Sequence, residues 1–282
     1  AGSATATLIA THVSLLALVA YVYARDLPLR LRGAELGYLR PHGPLVHTIT
    51  AKGLPMGAQM LVMSSAGLAM AGLVNRQGVD TVAAYGVAQQ LWTYIQMPAL
   101  AIGAAVSAMA AQNIGAGRWD RVGRITRAGL LTNLVLTGVM VAVTTVFDQA
   151  VLGLFLGQGS AAMPIAEHIQ LVAAWGFILF GATMVLFSTV RANGAVVAPL
   201  VMLFVSMYPV RLGFAALFLP TWGADALWWS FPVGSAANLV MAVAYYRYGH
   251  WRRGALLMPE AEGCEERSHA DAEPAGRLHP TG

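Results

Sequence analysis

The sequence predicts an all-α membrane protein with about seven transmembrane helices. Three observations carry this. Hydrophobic residues make up 57% of the chain and charged residues only 11%, whereas a soluble domain carries about 25% charged residues. Seven apolar runs are long enough to cross a hydrocarbon core, which takes about 20 helical residues. The ionisable side chains gather in the connectors between those runs. In hydrocarbon the backbone must satisfy its own hydrogen bonds, so runs of this length are helices and not strands.

The first run covers residues 5–23 and ends at Arg25. It follows Ala1-Gly2-Ser3 with no basic n-region, so it is expected to be a membrane helix and not a signal peptide. A basic connector follows, with Arg25, Arg30, Arg32, Arg40 and Lys52 among Pro28, Pro41 and Pro44. The second and third runs, 54–74 and 81–111, flank the polar turn Asn75-Arg76-Gln77-Gly78-Val79-Asp80 and read as a transmembrane hairpin. Arg118, Arg121, Arg124 and Arg127 then recur every third residue, a basic stripe suited to lipid headgroups. Run 128–147 is the fourth, followed by an arginine-free connector through Asp148, Gly153, Gly157, Gly159 and Pro164. The last three runs are 165–190, 196–219 and 226–246. The tail, residues 254–282, is rich in Glu, Pro and Gly and is expected to be disordered.

Alternate connectors differ sharply in charge. One side holds the 25–52 connector, the 118–127 stripe, Arg191, Arg247, Arg252 and Arg253; the other holds Arg76 alone. The positive-inside rule puts the basic side and the C-terminus in the cytoplasm of a multi-pass plasma (inner) membrane protein. Trp222, Trp228 and Trp229 fall at the outer interface and Tyr245, Tyr246, Tyr248 and Trp251 at the inner one, as aromatic belts do. The positive charge therefore reports topology and not nucleic-acid binding, which needs a basic face interleaved with aromatics. The one cysteine, Cys264, excludes a disulfide within the chain and a thiolate metal cluster, and no cofactor is expected.

Polar residues inside the apolar runs are functional candidates by default. Arg211, just after Tyr208-Pro209, either holds a substrate or a gate, or snorkels and caps a helix broken by Pro209. His12 is expected to pack, and Glu167 and His168 to sit at an outer helix start. Met56, Met60, Met63, Gly67 and Met70 follow a 3–4 spacing that puts them on one face, with Gln59 beside them. Such a stripe either packs and faces lipid or lines a cavity that accepts many shapes. Tyr85, Gln89, Trp92 and Gln96 share a face of the next helix, where amides should meet protein or water. Pro98 is placed to kink or hinge that helix in mid-membrane. Gly115-Ala116-Gly117 has neither a preceding strand nor a following Lys, so it is not a phosphate loop.

Several motifs resemble the C-terminal lobe of the multidrug and toxic compound extrusion (MATE) family. Lys52-Gly53-Leu54-Pro55 is similar to the opening of that lobe, and Ala83-Ala84-Tyr85-Gly86-Val87-Ala88 and Met97-Pro98-Ala99-Leu100-Ala101-Ile102-Gly103 to its second helix. Gln112-Asn113-Ile114-Gly115-Ala116-Gly117 resembles its cytoplasmic turn. Val190-Arg191-Ala192-Asn193-Gly194 with Pro199, and Tyr246-Arg247-Tyr248-Gly249-His250-Trp251-Arg252, resemble a later turn and the exit. The resemblance implies six helices forming one MATE-type lobe at 53–253. It further implies the last helix of a missing N-terminal lobe at 1–24, a cytoplasmic inter-lobe connector at 25–52 and a tail at 254–282. NorM-type members keep a Glu and an Asp for cation binding where this sequence has Met63 and Phe180. The chain is thus more similar to the DinF-type branch, whose coupling carboxylate lies in the first N-lobe helix.

The expected function is multidrug or organic-cation efflux by H+ or Na+ antiport with alternating access, with the ion site in the N-lobe. Gln59, Met56, Met60, Met63, Tyr85, Gln89, Trp92 and Gln96 are the expected lining, with Pro98, Pro209 and Arg211 as hinge or gate. The expected partners are lipophilic or cationic small molecules, membrane lipids and the N-lobe. A lipid-linked precursor flippase and a non-functional half-transporter are the alternatives. A retinal protein is excluded because the last run has no Lys for a Schiff base. An intramembrane enzyme is excluded because no embedded nucleophile motif accompanies His12.

Overall fold

The computed structural model describes residues 2–25, 43–157 and 159–253. The expected tail and most of the 25–52 connector lie outside them. The described residues are almost all helical, without a strand, and seven helices are long and apolar enough to cross a membrane. The chain divides into two units, 1–51 and 52–282.

In the first unit α1 (Gly2–Ala24) is an uncharged, predominantly apolar helix. Its polar side chains bond to their own backbone: Thr11 Oγ1 donates to the Thr7 carbonyl at 2.8 Å, and His12 Nδ1 lies 2.8 Å from the Leu8 carbonyl. His12 is thereby satisfied locally. Helix α2 (Gly43–Val74) starts inside the expected connector and runs through Pro55.

The second unit is built round α7 (Trp175–Ala192), of which 72% is buried. It packs against α3 (Val79–Gly115), α4 (Trp119–Val146) and α10 (Asp225–Tyr248). Small and hydroxylated residues make the close approaches, as they must where the solvent is lipid and apolar contact alone does not drive association. Gly176 is an example: a Cβ there would stand 3.2 Å from Pro232 Cα and 3.3 Å from Ser235 Oγ on α10. Thr126 of α4 and Thr189 of α7 share a hydrogen bond of 3.0 Å in the core. Leu131, Leu134, Val135 and Val139 of α4 point outward, the surface a lipid tail would cover.

Two expected runs are subdivided. The arginine-free connector contains α5 (Asp148–Leu156), which starts where Asp148 Oδ1 accepts the Gln149 N–H and stops at Gly157. Run 165–190 is two helices, α6 (Met163–Ala173) and α7. At the break the Phe177 N–H bonds the Ala174 carbonyl three residues back, a tighter turn than the α-helical ladder. The sixth run is one span in three parts: α8 (Val197–Val205), a π-helical turn over Ser206–Leu212, and α9 (Gly213–Trp222). Pro209 lies in that turn, where the Gly213 N–H reaches back five residues to the Tyr208 carbonyl. Proline removes a donor from an α-ladder, and a π turn absorbs the mismatch.

The turn at residues 191–194 gathers three distant segments. Lys52 Nζ donates to the Gly194 carbonyl at 3.0 Å, and buried Asn193 Nδ2 donates to the Trp251 carbonyl at 2.6 Å. Trp251 stacks on Tyr246 and meets Trp119 edge-on. Gly194 closes the turn at φ 77°, a left-handed conformation that favours glycine. At the opposite end, exposed His168 Nε2 lies 2.8 Å from Asp225 Oδ1, joining the starts of α6 and α10.

Candidate functional site

The α3 face expected from sequence turns inward and meets α7, α10 and the π turn. Tyr85 stacks on Trp228 (centroids 5.9 Å apart, planes at 29°), and its hydroxyl accepts from Gln89 Nε2 at 3.0 Å. Trp92, only 3% exposed, packs its ring 4.7 Å from Phe231 and 5.2 Å from Phe177. Its Nε1–H donates to Gln170 Oε1 at 3.0 Å, and Gln170 Nε2 donates in turn to Thr144 Oγ1 at 3.1 Å. A buried indole needs such a partner. This relay fixes the tryptophan's orientation. Gln96 Nε2 returns to the Trp92 carbonyl at 3.1 Å.

Arg211 enters from the π turn. Its guanidinium carbon lies 3.6 Å from the centre of the Phe231 ring, a cation–π arrangement. Its Nη1 contacts the Met207 sulfur at 3.6 Å, and its buried Nε has no hydrogen-bond partner. Gly234 makes room for the stem, since a Cβ there would stand 3.0 Å from Arg211 Cβ.

These groups enclose a cavity of about 400 Å³. Its deep wall is Trp92, Phe177, Phe180 and Phe231; Gln89, Gln90 and Thr93 stand at its exposed rim. Five of the expected residues line it together with Arg211: Met63, Tyr85, Gln89, Trp92 and Gln96. Aromatic and thioether side chains share the lining about equally with amides, hydroxyls and one guanidinium, so the site can both hold an apolar body and orient a polar group.

Three expected lining residues lie elsewhere. Gln59 is buried and donates to the Val196 carbonyl at 3.2 Å, tying α2 to the start of α8. Met60 is 74% exposed. Met56 borders a separate hollow of about 330 Å³ with Gly103, Ser188 and Arg191. Helical geometry explains the split: at about 100° per residue, Met60 falls about 40° to one side of Met56 and Met63 about 20° to the other. Met70 is fully buried in the core. Pro98 lies within a continuous α3, Pro209 within the π turn.

Sequence reasoning missed Phe177, Met207, Phe231 and Ser235, and it named Phe180 only as a position without the family's carboxylate. Phe177 and Phe180 come from a helix whose hydroxyl residues Thr183, Ser188 and Thr189 are themselves buried, so polarity marks no outer face from which the inner one could be read. Met207 lies four residues before Arg211, a spacing that does pair side chains on a helix.

A larger hollow of about 660 Å³ runs between α3 and α4, lined by Ile102, Met109 and Ile125 with Arg121 and Arg124 at one end. It lacks the convergent polar groups of the first cavity. Among the described residues, no three His, Cys, Asp or Glu side chains gather to hold a metal ion.

Comparison with known proteins agrees with this architecture. The family model described as MatE matches residues 55–217, more than half of the chain. The chain is 32% identical over 249 residues to the probable multidrug resistance protein YoeA of Bacillus subtilis, covering 88% of this chain and 54% of that protein. It is 30% identical over 200 residues to YpnP of the same organism, named in the same way, covering 71% and 45%. A probable multidrug resistance protein NorM of Pseudomonas aeruginosa is 25% identical, covering 87% and 50%. The chain thus spans about half the length of the relatives it matches. Among solved structures, the crystal structure of MATE in complex with MaL6 superposes with a TM-score of 0.76 at 20% identity, covering 89% of this chain and 56% of that one. A point mutant of the Vibrio cholerae MATE transporter VcmN superposes with a TM-score of 0.68 at 19% identity, covering 80% and 51%.

Proposed function

The chain belongs to the MatE family, and from that premise we propose that it is the C-terminal six-helix lobe (53–253) of a secondary multidrug exporter. It would be joined through a cytoplasmic connector (25–52) to the last helix (1–24) of an N-terminal lobe. The observation that carries this reading is the cavity of about 400 Å³ between α3, α7, α10 and the π turn. Its aromatic wall can receive flat apolar compounds of varied outline, and its amides can orient them without demanding one shape. The relatives are transporters and not enzymes, and the cavity is built for binding.

The mechanism follows from half a cavity. Two lobes rocking about a site near the bilayer midplane would open it to one side at a time, which is alternating access. Coupling to H+ or Na+ would supply the driving force. Met63 and Phe180 both border the cavity and neither can bind a cation or carry a proton, which supports the DinF-like branch over the NorM-like one. The basic inner loops support a cytoplasmic C-terminus in the plasma (inner) membrane.

The test is efflux. Cells lacking their own exporters and expressing the full-length protein should expel a lipophilic dye, and Gln89→Leu with Tyr85→Phe should reduce this without reducing the amount in the membrane. Proteoliposomes with an imposed pH or Na+ gradient identify the coupling ion. Unchanged dye accumulation at normal membrane expression would refute the reading.

A further inference from the structure

Arg211 sets the charge of the cavity. A guanidinium has five N–H donors and no acceptor. Here it meets an aromatic face, a thioether and nothing that accepts at Nε. The described acidic residues, Asp80, Asp120, Asp148, Glu167 and Asp225, all lie within the first two turns of their helices, and none borders the cavity. A carboxylate at a helix start is already stabilised by the free N–H groups there. The cavity therefore carries a fixed positive charge with no fixed negative one among the described residues.

A positive cargo would meet this charge in a poorly screened site, where like-charge repulsion is stronger than in water. It would also find the Phe231 face, a natural seat for a cation, already taken by Arg211. An oxyanion meets the opposite situation. It would supply the acceptors that Arg211 lacks, in the forked geometry that guanidinium and carboxylate share.

We propose that this cavity binds amphiphiles bearing an oxyanion, such as a carboxylate on an aromatic body, with the oxyanion on Arg211 and the body on Trp92 and Phe177. Gln89 and Ser235 add neutral hydrogen bonds. The proposal deepens the transport reading and replaces the expected organic cation with an anion.

The test uses a matched pair of probes, 2-naphthoate and 2-naphthylmethylammonium, which share one ring system and carry opposite charge. Binding to the full-length protein in detergent is measured by equilibrium dialysis, independently of transport. The wild type should bind naphthoate at least about tenfold more tightly than the ammonium probe, the effect of a hydrogen-bonded charge. Arg211→Gln should lose that preference, and Arg211→Lys should keep the anion preference at weaker affinity because the fork is gone. Equal or tighter ammonium binding by the wild type overturns the proposal and needs no variant to fold. So does naphthoate affinity unchanged in a folded Arg211→Gln, the result expected if a carboxylate elsewhere in the protein already neutralises Arg211. Failure of dye transport in proteoliposomes would sink the exporter reading alone, leaving the binding preference to be judged separately.

Discussion

The hydrogen bond between Trp92 and Gln170 links the cavity wall to α6 and can be weighed by a double-mutant cycle. Trp92→Phe keeps an aromatic ring near Phe231 and Phe177 but removes the Nε1–H that Gln170 Oε1 accepts. Gln170 is fully buried, so its oxygen has no water to turn to. An unsatisfied buried acceptor costs about 1–3 kcal/mol, and direct interhelical bonds in membrane proteins contribute about 0.6 kcal/mol, at most about 1.7. Trp92→Phe should therefore cost about 2 kcal/mol. Gln170→Leu should cost a similar amount, because it strands the indole N–H. Together they remove both partners and leave an apolar contact, so the double variant should be about 0.6–1.7 kcal/mol more stable than the sum of the single costs implies. Unfolding of the full-length protein in mixed micelles, followed by tryptophan fluorescence and circular dichroism, gives the three differences. Costs that add to within about 0.3 kcal/mol would show that the bond carries no coupling and that packing alone orients Trp92.

Three further outcomes follow from geometry. Gly176→Val should destabilise by about 1–3 kcal/mol because its Cβ would press on Pro232 and Ser235, whereas Gly72→Ala, with nothing within 4 Å, should stay within about 0.5 kcal/mol; thermal unfolding in detergent compares them, and equal shifts would contradict the close approach of α7 to α10. Asn193→Ala removes the donor that holds the Trp251 carbonyl, so limited trypsin digestion should cut at Arg247 faster than in the wild type, and equal rates would show the bond holds nothing in place. Cys264 is the one cysteine of these 282 residues; with any others in the full-length protein replaced by serine, a membrane-impermeant maleimide should label it only after permeabilisation, and labelling of intact cells would reverse the inferred topology.

The helices were legible because the membrane imposes one length and one hydrogen-bonding solution on every span. The inner face of α3 was legible for a second reason: Tyr85, Gln89, Trp92 and Gln96 contrast with the apolar residues around them and repeat with the helical period. The Met stripe on α2 misled because methionine is apolar whether it meets lipid, core or cavity, and its spacing spans too wide an arc to choose among them. Gln59 misled for the opposite reason. A membrane amide must find a partner, but the sequence does not say whether the partner is a cargo or a backbone carbonyl, and here it is Val196. The aromatic wall from α7 and α10 was hard to see because the few polar residues of those helices, such as Thr189 and Asn238, are buried as well, so polarity does not separate an inner from an outer face.

The π turn at Ser206–Leu212 also governs how this span can be compared with others. A π turn holds one residue more than the α-helix it interrupts, and each residue adds about 100° of rotation. A related chain lacking that residue would present every position beyond it on a different face, although the two sequences would still run side by side without an obvious fault. Matching such chains column by column would assign Arg211 a counterpart that points elsewhere. Deleting Val210 would be the engineered equivalent: the wide turn would close into α-helix, and the segment from Arg211 to Trp222 would keep its faces against α10 with every number lowered by one.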